Sequence, residues 1–235
     1  MYAYGKSVVR DLIKNGVEIE KTYIYEQFPD KKLFLALQKL KINMEYCSKK
    51  ELDRLVNGNH QGIIVSIPDY EFVGFDELVK DVDSNSLILL LDHLEDPHNL
   101  GAIVRTCEAA GVEGIIIPNK RSVDVNSTVM KVSAGALGNV KICLVANLNN
   151  AISRLKERGF WIVGTKMESP LSYADIDYDM PICLVIGNEG AGMSRLISES
   201  CDHIVSIPMY GKVNSLNASV AAGIMIYGVL EKRKK

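Results

Sequence analysis

Two glycine-rich loops hold the side chains best suited to chemistry in this chain. The first, residues 187–192 (GNEGAG), follows an apolar run, and the second, residues 209–217 (MYGKVNSLN), follows a strand-like run at 203–208. Each pattern predicts a strand that ends in a polar loop followed by a helix, and ligand sites in open α/β sheets form where such strand ends meet. The sequence therefore predicts one composite site, with these polar contents: Asn188, Glu189, Ser215 and Asn217.

The first loop is not a nucleotide-phosphate motif. Its spacing is G-x-x-G-x-G, it follows a late strand, and it lacks the Lys-Ser/Thr of a P-loop. No G-x-G-x-x-G occupies the first βα turn, which excludes a nicotinamide-dependent oxidoreductase. A tight turn would also explain the glycines, with Glu189 as an exposed turn residue. The presence of the second polar loop favours a site.

A third polar loop, residues 92–99 (DHLEDPHN), combines histidines with acidic residues and so resembles a metal site. It has no partner cluster of His or Cys elsewhere, and Pro97 interrupts its local geometry. We therefore expect no metal.

The helix predicted at 100–110, with Asn99 as its cap and Gly111 as its end, carries an arginine off its apolar face. At 100° per residue, Arg105 lies roughly 140° around the helix from Leu100, which directs it away from the sheet. Arg105 is either solvated or placed to bind an anion or a neighbouring subunit.

Composition indicates an ordinary globular protein. The 235 residues are 47% hydrophobic and 24% charged, with a net charge of −2. No run of about twenty apolar residues predicts a membrane span, and the first residues lack the apolar region of a secretory signal. The five cysteines are scattered without C-x-x-C spacing, which favours free thiols in a reducing compartment. We therefore expect a cytoplasmic protein.

Basic residues are concentrated in the first segment and at the C-terminus. Residues 1–54 contain eleven Lys/Arg and eight Asp/Glu, whereas residues 55–85 contain one and six. Lys31 and Lys32 are adjacent, and the chain ends in the basic run 232–235. These runs are either solvated helix faces or surfaces that contact phosphate.

Alternating strand and helix patterns divide the chain into two α/β domains. Residues 1–70 form a small domain, the acidic segment 71–85 a linker with one short helical stretch, and residues 86–235 a second domain. Tandem βα patterns in the second domain predict a parallel sheet. Its last helix, 217–230, is apolar or small nearly all round, which suits burial in the core or at a subunit interface.

Three segments resemble, in order and spacing, the signature motifs of SpoU-type (TrmH-like) RNA 2′-O-ribose methyltransferases of the SPOUT superfamily. They are residues 92–111, 182–194 and 207–227. The first domain resembles the family's L30e-like substrate domain, at YGKSVV (4–9) and HQGI (60–63). The layout is most similar to the RlmB subgroup, which methylates a guanosine ribose of large-subunit (23S) ribosomal RNA.

The resemblance implies a parallel-sheet SPOUT domain with a C-terminal trefoil knot, a homodimer, and S-adenosylmethionine held largely by backbone groups. The positions implied for the cofactor are Thr165, Gly187, Asn188, Gly190, Ile207 and Leu216. Those implied for catalysis are Asn99, Arg105, Glu189, Ser215 and Asn217.

The implied chemistry aligns a methyl sulfonium with a ribose 2′-oxygen and assists loss of its proton. The family proposal makes Arg105 the base, although a guanidinium stays protonated above about pH 12. Arg105 is therefore either strongly perturbed or holds the RNA phosphate while another acceptor takes the proton. Two alternatives remain open: a tRNA substrate, and an RNA-binding homologue that has lost catalysis.

Overall fold

The structure is a computed structural model that describes residues 1–233, and it divides into two compact units. Unit 1 comprises residues 1–71 and 125–135, and unit 2 comprises 72–124 and 136–235, of which the last two residues lie outside the described part. The first elements of unit 1, in chain order, are β1 (Tyr2–Tyr4), α1 (Lys6–Lys14), β2 (Lys21–Tyr25), α2 (Lys31–Lys39), β3 (Asn43–Cys47), α3 (Lys49–Leu55) and β4 (Ile63–Ser66).

Unit 1 is a four-stranded sheet in the order β1-β4-β2-β3. β2 and β3 pair in parallel, whereas β4 pairs antiparallel with β1 and β2. The alternation of strands and helices agrees with the small α/β domain that the sequence predicted. Ser48 and Glu51 form a capping box at the start of α3, in which each side chain accepts a hydrogen bond from the other residue's backbone N–H.

Unit 2 contains the remaining strands and most of the remaining helices. In chain order, the remaining elements are α4 (Phe75–Leu78), β5 (Leu87–Asp92), α5 (Pro97–Ala110), β6 (Gly114–Pro118), α6 (Ser127–Val132), β7 (Lys141–Val145), α7 (Leu148–Glu157), β8 (Trp161–Thr165), β9 (Ile182–Gly187), α8 (Arg195–Ser200), β10 (His203–Val205) and α9 (Ala218–Arg233). All of them belong to unit 2 except α6, which belongs to unit 1. The six strands form an entirely parallel sheet in the order β10-β8-β9-β5-β6-β7. The predicted parallel α/β fold is confirmed.

The strand order creates a crevice at the centre of the sheet. From β5 the chain adds β6 and β7 on one side, and then β8, β9 and β10 on the other. The order therefore reverses between β5 and β9, where Asp92 lies opposite Gly187. Open α/β sheets bind ligands outside the carboxyl ends of the strands at such a reversal.

Helix α5 begins earlier than the sequence predicted. Asp96, not Asn99, is its N-cap: the Asp96 carboxylate accepts from the His98 N–H, and Pro97 occupies the first turn, where its missing N–H costs nothing. Gly111 ends the helix in the left-handed conformation, as predicted. The earlier start leaves the Asn99 side chain free for other partners.

Two segments are assigned in a way that the sequence did not indicate. The predicted linker, 71–85, contains the short helical stretch that the sequence indicated, as α4, but Phe75, Leu78 and Val79 are buried in the core of unit 2. Residues 125–135 return to unit 1, where Met130 packs on its core. Their short helix, α6, is capped by Asn126.

The last helix is buried along one face only in the single chain. Ala218, Ala222, Met225, Ile226 and Val229 are buried, whereas other apolar positions remain open to solvent. At its end, the Arg233 guanidinium donates to the carbonyls of unit 2, and burial lowers its pKa. Half of the predicted basic run 232–235 lies outside the described residues. No helix within 1–233 is long and apolar enough to cross a membrane.

Candidate functional site

The two glycine-rich loops meet beside the central crevice of unit 2 and enclose a cleft of about 470 Å³. The cleft is lined by every residue predicted to contact the cofactor: Thr165, Gly187, Asn188, Gly190, Ile207 and Leu216. Glu189 and Ser215 line it as well. Three of the four polar residues predicted for the composite site, Asn188, Glu189 and Ser215, therefore line one cleft, whereas Asn217 does not; the roles of these residues stay predictions.

The first loop closes back on itself directly after β9. The backbone groups of Asn188 and Gly192 exchange hydrogen bonds of 3.0 and 2.9 Å, and the Asn188 Oδ1 atom accepts from the Gly190 N–H at 2.9 Å. A Cβ atom on Gly187 would lie 2.3 Å from the Gly192 carbonyl carbon and from the Met193 nitrogen. Only glycine fits at position 187 without moving the backbone of the loop.

The end of β5 holds this loop in place. The Asp92 carboxylate is buried and accepts from the Ser194 N–H and from the His93 ring, both at 2.6 Å. The Asn188 side chain donates to the His93 carbonyl at 2.9 Å. Sequence reasoning considered Asp92 and His93 only as metal ligands, and residues 1–233 contain no metal-like cluster. The signal that was missed is an acidic residue at the end of an otherwise wholly apolar strand.

Three of the five predicted catalytic residues form a hydrogen-bonded chain. The Asn99 side chain is 6% exposed and donates from Nδ2 to the Glu189 carboxylate. The Asn99 Oδ1 atom accepts from Asn217 Nδ2 at 2.9 Å, and Asn217 Oδ1 accepts from the Ser219 N–H at 2.9 Å. Asn217 thereby caps α9 and joins the two polar loops to α5.

Arg105 is placed differently from the other candidates. It lies on the exposed side of α5 and takes no part in the hydrogen-bonded chain; like Asn99 and Asn217, it is not among the residues that line the cleft. Within the described chain its guanidinium has no hydrogen bond and no ion pair, in contrast to Arg154 and Arg158, which pair with Asp76. The structure therefore shows a cation available to a ligand or to a second subunit.

The second loop offers backbone groups to the cleft. No backbone N–H from 207 to 216 donates to another described group, although the loop belongs to no helix or strand. Ile186, Ile207 and Leu216 provide apolar surface beside them. Such a cleft, with apolar walls and unpaired backbone donors and acceptors, suits a ligand with an aromatic base and polar edges.

The wall beneath the cleft is chemically inert. A Cβ atom on Gly164 would lie 2.7 Å from the Cys201 sulfur and from the end of Met193, so these side chains fill the space behind β8. Burial raises the pKa of the Cys201 thiol to about 12 and also raises that of Cys183. Both thiols stay protonated at neutral pH and pack as small apolar groups.

Comparison with protein families covers most of the chain. Residues 86–227 match the SpoU rRNA Methylase family, and residues 2–73 match the RNA 2′-O ribose methyltransferase substrate binding family. A Staphylococcus haemolyticus protein named for the TrmH family of tRNA/rRNA methyltransferases is 44% identical over an alignment of 235 positions that covers 97% of this chain and 94% of that protein. The Bacillus subtilis protein YacO, named for the same family, is 40% identical over 99% of this chain and 96% of its own length.

Solved structures show the same architecture. The AdoMet complex of AviRb, a SpoU methyltransferase from Streptomyces viridochromogenes, covers 100% of this chain and 91% of its own, with TM-score 0.78 and 24% identity, which shows the fold alone. An AdoMet-bound rRNA methyltransferase from Sinorhizobium meliloti has TM-score 0.73 and 25% identity over 98% of this chain and 86% of its own. The A. aeolicus TrmH/SpoU tRNA modifying enzyme is 34% identical, with TM-score 0.59, over 68% of this chain and 81% of its own.

Proposed function

Because this chain belongs to the SpoU methylase family and is an S-adenosylmethionine-dependent RNA 2′-O-ribose methyltransferase, we propose that it methylates a guanosine ribose of 23S ribosomal RNA. The observation that carries this proposal is the substrate-binding match at residues 2–73. The rRNA methyltransferase from S. meliloti aligns with 98% of the chain, whereas the tRNA modifying enzyme from A. aeolicus aligns with 68%. A tRNA substrate is the second candidate, since the curated relatives are named for both RNAs.

We assign the cleft of unit 2 to S-adenosylmethionine. When bound, the cofactor supplies an electrophilic methyl group. The fit rests on the steric requirement for glycine at 187 and on the unpaired backbone groups of 207–216, which can meet the polar edges of an adenosine. Ile186, Ile207 and Leu216 offer apolar surface to its base.

The chain of Asn99, Glu189 and Asn217 would hold the reacting groups in position. Its hydrogen bonds fix the direction of both amides, since the Glu189 carboxylate only accepts and the Ser219 N–H only donates. Ser215, exposed in the same cleft, adds a hydroxyl that can donate or accept. This arrangement aligns groups before reaction, the part of catalysis that the structure supports most directly.

We propose that Arg105 contacts the RNA phosphate beside the reacting ribose rather than acting as the base. It is exposed and without an intramolecular partner among the described residues, and a guanidinium keeps its proton above about pH 12. Another acceptor then takes the 2′-hydroxyl proton. In this role Arg105 is required for methyl transfer, whereas the cofactor binds without its help.

A homodimer would complete the site. Val220 and Tyr227 on α9 are 48% and 47% exposed, so apolar surface remains on a helix whose sequence is apolar nearly all round. Arg105 does not line the cleft of its own chain. A twofold dimer would cover the apolar surface of α9 and bring Arg105 to the cleft of the partner. Sedimentation at micromolar protein should give twice 26.0 kDa, and a monomer alone would contradict this proposal.

We also propose the two folds that the family resemblance implies, a trefoil knot in the C-terminal part of unit 2 and an L30e-like fold for unit 1. We propose a cytoplasmic location as well, which the five free cysteines support.

The deciding experiment maps 2′-O-methyl sites on all RNAs in a strain lacking the protein and in its parent. Loss of one methyl group in 23S RNA is the expected result, and purified protein should restore it in vitro. Loss in a tRNA instead would select the second candidate. No lost site and no transfer to either RNA would identify an inactive RNA-binding homologue.

A further inference from the structure

A second cavity lies on the same edge of the unit 2 sheet, outside the carboxyl ends of β5, β6 and β7. It is an open groove of about 600 Å³, a size that accommodates a nucleotide. The cofactor cleft lies beyond β9 on the other side of the reversal point. None of the catalytic residues considered above lines the groove.

The rim of the groove is cationic. Lys120 and Arg121 follow β6 and are both exposed, and within residues 1–233 neither forms an ion pair. Arg195 completes the rim: its Nε donates to Glu199 at 2.7 Å, which leaves the terminal nitrogens of the guanidinium available. Three cations that line one concave surface attract phosphate and can contact it directly.

The floor of the groove is apolar. Leu148 and Ile197 are buried beneath it, and Leu196 stands at its edge with 64% of its surface exposed. A base could cover this apolar surface while its phosphate lies against the cations. The combination of apolar floor and cationic rim matches the two halves of a nucleotide.

His93 adds a directed polar group. It adopts a left-handed backbone conformation, with φ of 58°, which residues other than glycine seldom occupy. Because the buried Asp92 carboxylate accepts from the ring, the Nδ1 atom carries a proton. The Nε2 atom has no partner among the described residues, so it is available to a ligand in the groove.

The groove and the cofactor cleft share a wall. Residues 188–193 line the cleft, and Ser194, the next residue, lines the groove. The Asp92 carboxylate bonds to the Ser194 N–H, and Asn188 bonds to the His93 carbonyl, so both faces of the wall are tied to the end of β5. A chain of RNA that places one ribose at the cleft can place a neighbouring nucleotide in the groove.

We propose that this groove binds a nucleotide of the substrate RNA that flanks the methylated one. Lys120 and Arg121 contact its phosphate, Leu148, Leu196 and Ile197 support its base, and His93 Nε2 bonds to its base or ribose. The inference rests on RNA as the substrate but not on which RNA is methylated. The groove therefore helps to select the RNA sequence that surrounds the methylated nucleotide.

The first test removes charge from the rim. The double variant Lys120→Gln with Arg121→Gln should weaken RNA binding about tenfold and lower the salt slope of binding by about 0.7, from the loss of one neutralised phosphate on a single strand. Cofactor affinity and the single-turnover rate at saturating RNA should stay within twofold of wild type. The matched control, Lys80→Gln with Lys141→Gln, removes the same formal charge from two exposed lysines that do not line the groove; Lys141 begins β7, at the other end of that strand from the groove.

The second test locates the bound nucleotide. RNA carrying thiouridine at each position flanking the methylated nucleotide should crosslink to peptides containing His93, Lys120 or Leu196, and His93→Asn should reduce that crosslink. Asn tolerates the left-handed conformation but lacks the ring nitrogen that donates to the buried Asp92 carboxylate, so some loss of thermal stability is expected and the crosslink is measured well below the melting temperature of the variant. Crosslinks confined to unit 1 or to Arg105 would overturn the proposal, as would equal RNA affinity of the rim variant and its control.

Both tests use whichever RNA the wild-type protein methylates. If that RNA is a tRNA, the proposal of a 23S substrate fails, while the groove is still tested on the tRNA. If 23S RNA is methylated normally by the rim variant with unchanged KM and salt slope, the groove proposal fails and the proposed function stands.

Discussion

Asn217 Nδ2 donates a 2.9 Å hydrogen bond to Asn99 Oδ1, and this bond links the cap of α9 to the first turn of α5. Asn99 in turn donates to Glu189, so it cannot reverse its amide without losing a partner at one end. The same Asn217 oxygen that caps α9 accepts from Ser219. One residue thus serves the stability of a helix and the geometry of the candidate site.

Substitutions at Asn217 should separate these two roles. Asn217→Asp keeps the oxygen that caps α9 but loses the donor to Asn99, so it should melt near wild type and lose at least tenfold in single-turnover methyl transfer. Asn217→Ala should lose the same activity and also about 1 kcal/mol of stability with the cap. A wild-type rate in the Asp variant would show that the bond to Asn99 is dispensable.

Gly187→Ala should damage the cofactor cleft. The added methyl group would lie 2.3 Å from the backbone of Gly192 and Met193, which must move and open the loop. Calorimetry should show S-adenosylmethionine binding at least tenfold weaker. Gly138→Ala is the control, because its Cβ would meet nothing within 4 Å and the residue does not line the cleft. Equal affinities in the two variants would mean that the closed loop does not shape the cleft.

Arg105→Ala should abolish methyl transfer and leave cofactor affinity within twofold of wild type. Arg105→Lys should also be poor, because a point charge does not reproduce the planar fork of the guanidinium. Arg154→Ala, at a half-exposed arginine of α7 that pairs with Asp76, is the control and should keep full activity. Single-turnover kinetics decide, and a fully active Arg105→Ala enzyme refutes the catalytic assignment.

Lys31→Ala with Lys32→Ala should weaken RNA binding and flatten its salt dependence. Both lysines are exposed at the start of α2, after the Asp30 cap, and neither forms an ion pair among the described residues. The single-turnover rate at saturating RNA should not change, since the loss is one of phosphate contacts. Filter binding over a range of salt concentrations measures the slope. An unchanged slope would mean that these lysines form only a solvated helix face.

Alkaline pH should destabilise the protein through Cys107. Burial raises the pKa of this thiol to about 12 in the folded state, against about 8.5 in an unfolded chain. A folded-state pKa above the unfolded value means that stability is complete below about pH 8.5 and is lost as the pH rises toward the folded value. Cys107→Ala should therefore show a smaller fall in urea midpoint between about pH 8 and about pH 10 than wild type. Identical pH slopes would contradict this account.

Local elements followed from the sequence because their signals are local. The capping box of Ser48 and Glu51, the left-handed Gly111 and the apolar strand β5 each depend on a few neighbouring residues. The predicted start of α5 was wrong because Asp96 followed by Pro97 is a stronger start signal than Asn99.

The tertiary relationships could not be derived in this way. The sequence indicated that the two polar loops form one site, because parallel strands end at one edge of a sheet. It gave no sign that Asp92 would anchor Ser194, or that residues 125–135 would pack with unit 1. These contacts depend on the strand order and the crossovers, which local periodicity does not determine.

The strand order also has a consequence for when the protein becomes active. The bonds that build the site join residues 95, 102 and 118 positions apart, and the longest requires α9, the last described helix. Contacts of this separation form late, because the entropy of closing long loops must be overcome first. During synthesis, residues 1–71 can form most of the contacts within unit 1 well before α9 leaves the ribosome. We therefore expect nascent chains to fold from the N-terminal end and to acquire the Asn99–Asn217 connection only after translation of the catalytic unit is complete.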